Sequence, residues 1–295
     1  MRPRRRAPGR LASRAAGVAG LALAALGALA LAGAPAALAD PAGSATASGG
    51  AVTATLWWSA GEGGVTDPRI TIRRAGVIAV DRAPIFSESC SVGCRMLPSG
   101  DRESAVQVVD LDGDGEPEVL SDAFTGGPHC CALTEIDAWS PAQGAYLRRP
   151  VRWGNGGYEV RDLDRDGTRE LVGADDRFSA RYTAYAFSAR PVRILHFTGP
   201  GLALRPVTRR FPSAVRADLA AQRRLLARSR RGPAKVDDRR GVVAALVADL
   251  YTLGRAADAR AQLQRSRRAG DLGRPALARS FRRALLRDLD RWGYR

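Results

Sequence analysis

Two acidic segments carry carboxylates at a spacing suited to binding a metal ion. Residues 109–120 read VDLDGDGEPEVL, and residues 161–172, at an offset of 52, read RDLDRDGTRELV. Alternate acidic residues around a tight turn direct several carboxylates at one point, and calcium takes about six to eight oxygen ligands in tolerant geometry. The glycine after the third aspartate, Gly115 or Gly167, allows the positive-φ bend that closes such a loop. Both segments are therefore predicted to bind calcium.

The predicted calcium ligands occupy the same positions in both loops. Each loop offers three aspartate carboxylates, one backbone carbonyl and a glutamate carboxylate from the returning strand. In the first loop they are Asp110, Asp112, Asp114, the carbonyl of Glu116 and the carboxylate of Glu118. In the second they are Asp162, Asp164, Asp166, the carbonyl of Thr168 and the carboxylate of Glu170. Without a cation these carboxylates would repel one another, because like charges at close range destabilise one another.

Two other interpretations of the loops compete with calcium binding. An EF-hand begins with the same residues, but it needs a glutamate at its twelfth position and helices on both sides. Here the twelfth positions are Ser121 and Gly173, and the flanking segments Val106–Val109 and Glu118–Leu120 have strand-type composition. A polar turn without metal is the remaining alternative, since Asp and Gly are common turn residues. Two matching loops favour calcium over that alternative.

Strand signals surround the loops. Candidate strands before the first loop are Ala51–Ser59, Arg69–Arg73 and Val77–Val80, which predict a small antiparallel meander. Candidate strands after the two loops are Leu133–Trp139 and Tyr182–Phe187. We therefore assign a β domain to residues 51–211, with two repeats at about 105–157 and 158–211. Each repeat would supply one acidic loop and about three strands.

The run DLDGDGEPEV, repeated at this interval, resembles the FG-GAP/VCBS-type repeats of integrin-like β-propellers. That resemblance implies a calcium ion in each loop and a role in adhesion or recognition rather than catalysis. It covers only about 105–211, whereas complete propellers need more blades. Either the N-terminal strands supply a degenerate third unit, or the sheets form an open structure capped by C-terminal helices. The whole arrangement is also similar to uncharacterised exported proteins of actinobacteria.

The N-terminus has the organisation of a signal for general (Sec-type) secretion. Arginines at positions 2–10 precede an apolar run from Ala15 to Gly33, and Ala37-Leu38-Ala39 forms an A-x-A cleavage signature. Cleavage after Ala39 is predicted, which leaves residues 40–50 as a spacer and makes the protein secreted or associated with the cell envelope. An uncleaved anchor helix is the alternative, because the apolar run nearly suffices to span a bilayer.

Helical periodicity begins after Phe211-Pro212. Ser213 is predicted to cap a helix that runs to about Arg230. Further apolar stripes predict three or four amphipathic helices over residues 212–295; their members are Val242, Leu246, Leu250, Leu253, Leu277, Phe281, Leu285, Leu289 and Trp292. The predicted fold class is α+β, with an antiparallel β-repeat domain followed by a small basic helical bundle packed on it.

Four cysteines lie in the part predicted to be exported, where oxidation favours disulfides. A zinc site of Cys90, Cys94, His129, Cys130 and Cys131 is the alternative. Because a bond between the adjacent Cys130 and Cys131 would be strained, we expect Cys90 and Cys94 each to pair with one of them.

Catalytic signals are absent from the sequence. It contains no G-x-S-x-G, P-loop or H-E-x-x-H motif, and its two histidines, His129 and His196, are interpreted as structural. The protein is therefore predicted not to be an enzyme, with an unrecognised extracellular hydrolase as an alternative. An unknown extracellular ligand is the expected partner.

Charge is divided along the chain. Residues 40–204 contain 16 basic and 22 acidic side chains, whereas residues 205–295 contain 24 basic and 8 acidic ones. The basic helical part could attach the protein to an anionic envelope polymer or lipid. A nucleic-acid partner is not expected for an exported protein, and membrane contact is expected only through the signal peptide during export.

Overall fold

Three four-stranded antiparallel sheets follow one another along the chain, and four helices follow the sheets. The computed structural model describes residues 42–61, 64–90, 94–96, 104–127, 129–199, 201–232 and 236–295; the side chains of Cys130 and of residues 236–238 are also not described. The predicted signal peptide lies outside the described residues. Residues Leu38–Arg295 form one compact unit, and the predicted α+β fold class is confirmed.

Each sheet consists of four consecutive strands in the order in which they occur in the chain. The first sheet contains β1 (Gly43–Gly49), β2 (Val52–Gly61), β3 (Gly64–Arg74) and β4 (Val77–Arg82). The second contains β5 (Val106–Val109), β6 (Glu118–Gly127), β7 (Cys130–Ser140) and β8 (Ala145–Gly154). The third contains β9 (Tyr158–Arg161), β10 (Glu170–Ala174), β11 (Val192–Thr198) and β12 (Ala203–Pro206). The expectation of about three strands per repeat was one strand too low.

The segment predicted as a spacer, residues 40–50, contains strand β1. It pairs with β2 from Gly43 opposite Trp58 to Gly49 opposite Val52. Cross-strand hydroxyl pairs support this register, with 2.9 Å between the hydroxyl oxygens of Thr46 and Thr55. A run of small residues resembles a linker in composition. Here these residues form a strand whose side chains alternate between the two faces of the sheet, in register with the apolar strand β2. The spacer prediction was therefore wrong.

The second sheet is covered on both faces. Val119 packs with the apolar core of the first sheet, whereas its neighbour Leu120 packs with residues of the third sheet. Successive side chains of a strand point to opposite faces, so residues 118–123 of β6 are all buried. Polar residues of this sheet must consequently find partners inside the protein.

Two buried acidic residues of β7 are paired with an arginine of the first sheet. Arg82 donates to Glu135 at 2.6 Å and also to Asp137, and both carboxylates have no exposed side-chain surface. Burial, followed by the charge of Glu135, raises the pKa of Asp137 well above its ordinary value. Arg82 therefore supplies positive charge to this coupled pair of buried carboxyl groups at the interface between the sheets.

A disulfide joins Cys90 to Cys94, with 4.8 Å between the Cα atoms. The predicted pairing of each of these cysteines with Cys130 or Cys131 was wrong, although Cys131 is also disulfide-bonded. The segment is joined to its neighbours by backbone contacts instead, because Cys94 accepts a hydrogen bond from Val65 and Arg95 donates one to Phe124. The covalent bond closes a short local loop.

The link between β10 and β11 was predicted to contain a strand at Tyr182–Phe187 and instead contains 3₁₀ turns at Asp176–Phe178 and Tyr185–Phe187. Two of its aromatic residues pack on the helices rather than in a sheet. Phe178 and Tyr182 belong to the helical core, and the Tyr182 hydroxyl donates to Asp288 at 2.9 Å. Aromatic side chains favour strands only where they can pack on the surface of a sheet.

The helices are α1 (Pro212–Arg231), α2 (Val236–Thr252), α3 (Ala256–Arg268) and α4 (Pro275–Arg291). Ser213 is not the cap, because α1 begins at Pro212 and Phe211 precedes it without a capping side-chain bond. The prediction that all the helices are amphipathic was wrong for α2, since its residues 241–251 are all buried. The other helices and the 3₁₀ turns surround it, so it is the central helix. Among the described residues, none of the helices combines the length and the apolar composition that spanning a bilayer requires.

Two carboxyl groups share a proton inside the helical part. Burial, followed by the charge of Asp218, raises the pKa of Asp249 to about 9, so its protonated carboxyl donates to Asp218. Asp218 also accepts from the Val192 backbone N–H at 2.9 Å, and burial raises its pKa as well. The pair joins α1 and α2 to β11.

Replacing Arg82 by methionine is expected to lower the free energy of unfolding by about 3 kcal/mol, because the buried Glu135–Asp137 pair would lose the guanidinium that is hydrogen-bonded to it. Urea unfolding measures the change. The control is Arg69→Met, whose ion pair with Asp81 is solvent-exposed and should contribute less than about 1 kcal/mol. Equal losses in the two variants would contradict the role given to Arg82.

Replacing Asp249 by asparagine is expected to make stability less dependent on pH. The folded pKa of Asp249 lies above its unfolded value, so its stabilising contribution is complete below about pH 4 and is lost as pH rises through about 9. The variant should exceed the wild type by about 1–3 kcal/mol at pH 8, and less at pH 5. Urea unfolding at several pH values checks this, with the exposed Asp258→Asn as control. A difference that does not grow with pH would refute it.

Candidate metal centre

The two acidic loops occupy equivalent places in neighbouring sheets. The first connects β5 to β6, and the second connects β9 to β10. The strand register is the same at both, because Val109 lies opposite Glu118 and Arg161 lies opposite Glu170. In the first sheet a tight turn at Gly50–Ala51 stands at this place instead. The prediction of acidic loops between strands is thus confirmed, and the N-terminal strands form the first sheet, which has no acidic loop at this place.

Backbone donors to the first aspartate shape each loop. Asp110 accepts from the N–H groups of Gly113 at 2.7 Å and of Gly115 at 2.9 Å. Asp162 likewise accepts from Asp166 and Gly167, both at 3.2 Å. Gly115 and Gly167 both have positive φ, as predicted from their position after the third aspartate.

The second loop has Arg165 where the first has Gly113. Arg165 adopts the same left-handed backbone conformation, with φ of 63° compared with 78° for Gly113. A side chain in this region costs roughly 1–2 kcal/mol. The replacement therefore preserves the loop at some cost in conformational energy.

A buried glutamate lies at the base of each loop. Glu118 accepts from the Leu111 N–H at 2.8 Å, and Glu170 accepts from the Leu163 N–H at 3.1 Å. Burial is the main reason why the pKa of Glu118 is raised to about 8, with repulsion from the loop aspartates adding to it. Burial also raises the pKa of Glu170. A charged glutamate at either place needs a compensating positive charge.

Carboxylates converge in both loops, though not with the same members. Ligand oxygens of Asp110, Asp112 and Glu118 lie within 4.8 Å of one another, and the second loop brings together Asp162, Asp164 and Asp166 in the same way. Asp114 and Glu170 are outside these groups.

One oxygen in the first loop adds support for a cation. Asp112 accepts from the Gly199 N–H at 2.7 Å with one carboxylate oxygen, whereas its other oxygen is buried and has no hydrogen-bond donor among the residues that the structure describes. An all-oxygen donor set with an unsatisfied buried carboxylate fits a hard divalent cation such as calcium. The carboxylate of Glu116 is bound by Arg74 at 2.7 Å, and this ion pair does not use the backbone carbonyl that is its predicted ligand atom.

The second loop has a histidine beside its buried glutamate. The strand register places His196 opposite Glu170, and 3.7 Å separates His196 Nδ1 from Glu170 Oε1. Neither atom has a hydrogen-bond partner within the described structure. Sequence reasoning missed this neighbour, because His196 is far from the loop in the chain and lacks a metal-binding spacing. The other histidine, His129, lies against the ring of Tyr185, with 4.3 Å between ring centroids.

The two loops also contact each other. The Arg169 N–H of the second loop donates to the Leu111 carbonyl of the first at 2.8 Å. Arg74 of β3 extends the connection to the first sheet through Glu116. The loops therefore lie where adjacent sheets meet.

No family model matches this chain, so the FG-GAP/VCBS resemblance stays a prediction. The chain is 32% identical over 148 residues to an uncharacterized protein of Sinorhizobium fredii, a match that covers 48% of this chain and 21% of the relative. It is 35% identical over 91 residues to a probable thylakoid lumen protein of Synechocystis, covering 30% of this chain and 27% of that relative. The chain thus spans about a fifth to a quarter of the length of these relatives. No solved structure matches.

Proposed function

We propose that this protein is an exported, non-catalytic, calcium-binding β-repeat protein that serves adhesion, recognition or scaffolding at the cell envelope. The observation that carries the proposal is the repetition of one loop geometry. In both loops the first aspartate organises the backbone, three carboxylates converge, and a buried glutamate accepts a backbone N–H seven residues earlier. A polar turn does not need a buried carboxylate at its base.

Export is supported from two sides. The relative from Synechocystis is named a probable thylakoid lumen protein, which is consistent with a place outside the cytoplasm for this chain. The Cys90–Cys94 disulfide is typical of oxidising compartments. Cleavage of the signal peptide after Ala39 remains part of this proposal.

Calcium would be held by the aspartates and the glutamate of each loop, together with the carbonyls of Glu116 and Thr168. Bound there, it would supply positive charge to groups that burial and mutual repulsion disfavour as anions. The chain itself contributes the arrangement of the oxygen ligands, which lie where the second and third sheets meet. The cation is thereby proposed to stabilise the sheets rather than to take part in a reaction, as in the FG-GAP/VCBS repeats that the loops resemble.

Calorimetric titration with calcium, or terbium luminescence, is expected to detect about two sites on the chain that begins at Asp40. Asp112→Asn should abolish or weaken the first site, and Asp164→Asn the second, each by about tenfold or more, because a neutral amide removes one anionic ligand from a small set. The double variant should lack both sites.

The matched control is Asp67→Asn, which removes one negative charge from an exposed position outside the loops. Calcium should raise the thermal midpoint of the wild type and the control, and should not change that of the double variant. No binding at millimolar calcium, or equal loss in the control, would reject the calcium proposal.

A second candidate function is attachment of the exported protein to anionic envelope polymer or lipid through its basic helices. Residues 205–295 contain 24 basic side chains and only 8 acidic ones. This excess exceeds what ion pairs within the helical part can neutralise, so the helices attract anions at long range.

A further inference from the structure

A groove between α3 and α4 combines an apolar floor with a cationic rim. Its volume is about 380 Å³. Leu263, Leu272 and Ala278 form the floor and are almost completely buried, and Leu286 extends it as a partly buried neighbour. The groove is therefore suited to an apolar group that enters from the rim.

Five arginines line the groove. Arg295 pairs with Asp290 at 3.1 Å, and the other four form the rim. Arg260 and Arg267 project from α3, seven residues apart and so on one side of that helix, and Arg279 and Arg282 project from α4. All four are exposed. None forms an ion pair or side-chain hydrogen bond with any residue that the structure describes, in contrast to Arg255, which binds Asp258 at 2.7 Å.

The positive charge of these arginines is not balanced by acidic side chains in the groove. The four rim charges surround one small depression that has no aspartate or glutamate side chain among its lining residues, which raises the local potential and favours a bound anion. Guanidinium groups bind phosphate oxygens in bidentate fashion. The apolar floor beneath this rim favours a ligand that also carries a hydrocarbon group. A free phosphate or a phosphate–polyol polymer has no such group.

We propose that this groove binds an anionic phospholipid of the envelope membrane, with the headgroup phosphate at the rim arginines and the adjoining hydrocarbon on the leucine floor. The proposal deepens the second candidate function and depends on export, but not on the calcium loops. The sequence predicted membrane contact only during export, through the signal peptide. The proposed lipid site adds a contact of the folded protein with the membrane after export.

Vesicle co-sedimentation tests the groove. The protein is the chain from Leu38 onward, which forms one compact unit and lacks the apolar N-terminal run. Vesicles of phosphatidylglycerol and phosphatidylcholine are compared with phosphatidylcholine alone, in EDTA so that calcium cannot bridge loops and lipid. The wild type is expected to bind the anionic vesicles, and R260Q/R267Q/R279Q/R282Q should bind them about tenfold or more weakly.

The control variant removes the same charge from another helix. Arg216, Arg223, Arg224 and Arg228 of α1 are also exposed and have no side-chain partner among the described residues, so R216Q/R223Q/R224Q/R228Q should bind nearly as the wild type does. Thermal unfolding of both variants confirms that they are folded. A short-chain phosphatidylglycerol below its micelle concentration should compete with the vesicles, and inorganic phosphate at the same concentration should not.

Equal weakening in both quadruple variants would overturn the groove in favour of unspecific attraction to a charged surface. Competition by inorganic phosphate as strong as that by the lipid, or retention on a phosphate–polyol polymer but not on vesicles, would overturn the lipid assignment. Binding by Asp112→Asn/Asp164→Asn should equal that of the wild type. A failure of calcium binding and a failure of the groove therefore give different results.

Discussion

The burial of the second sheet on both faces is the constraint on which the rest of this structure depends. Its strands carry acidic residues into the interior, and every one of them needs compensation. On the side of the first sheet, Arg82 binds Glu135 and Asp137. On the side of the third, Asp122 accepts from Thr134 and Tyr158. These polar contacts are specific in direction, so they determine how neighbouring sheets align as well as how strongly they adhere.

The acidic loops belong to the same set of interfaces. A backbone hydrogen bond joins one loop to the other through Leu111 and Arg169, and Asp112 accepts from Gly199, which directly follows β11 of the third sheet. A cation in the first loop would therefore act on the junction between sheets and not only on a surface turn. The His196–Glu170 pair makes the second loop chemically different from the first. Equal affinity of the two loops is consequently not expected.

The helices cover the connection after β10 and leave their basic side outward. Phe178 and Tyr182 pack into the helical core, and the ion pair between Arg181 and Asp288 secures α4 at 2.7 Å. Arginines of the helical part that lie near acidic side chains form ion pairs that hold its elements together, as Arg230 does with Asp271. The four at the α3–α4 groove have no such partner among the described residues, and the proposed lipid site depends on their position around an apolar floor.

Local chemistry was sufficient to determine the two loops, the confirmed strands and the approximate helix ranges, because hydrogen bonds to Asp110 or Glu118 join residues at most seven positions apart and periodic apolar residues act within one element. Only the tertiary structure decided the pairing of β1 with β2, the Cys90–Cys94 bond, the 3₁₀ turns at 176–187 and the burial of α2. It also decided the place of His196 beside Glu170. The turns, the burial of α2 and the place of His196 depend on which distant segments meet, and neither composition nor periodicity contains that information. The β1–β2 hairpin and the Cys90–Cys94 bond are local, but composition does not distinguish a strand of small residues from a linker and does not select one cysteine connectivity.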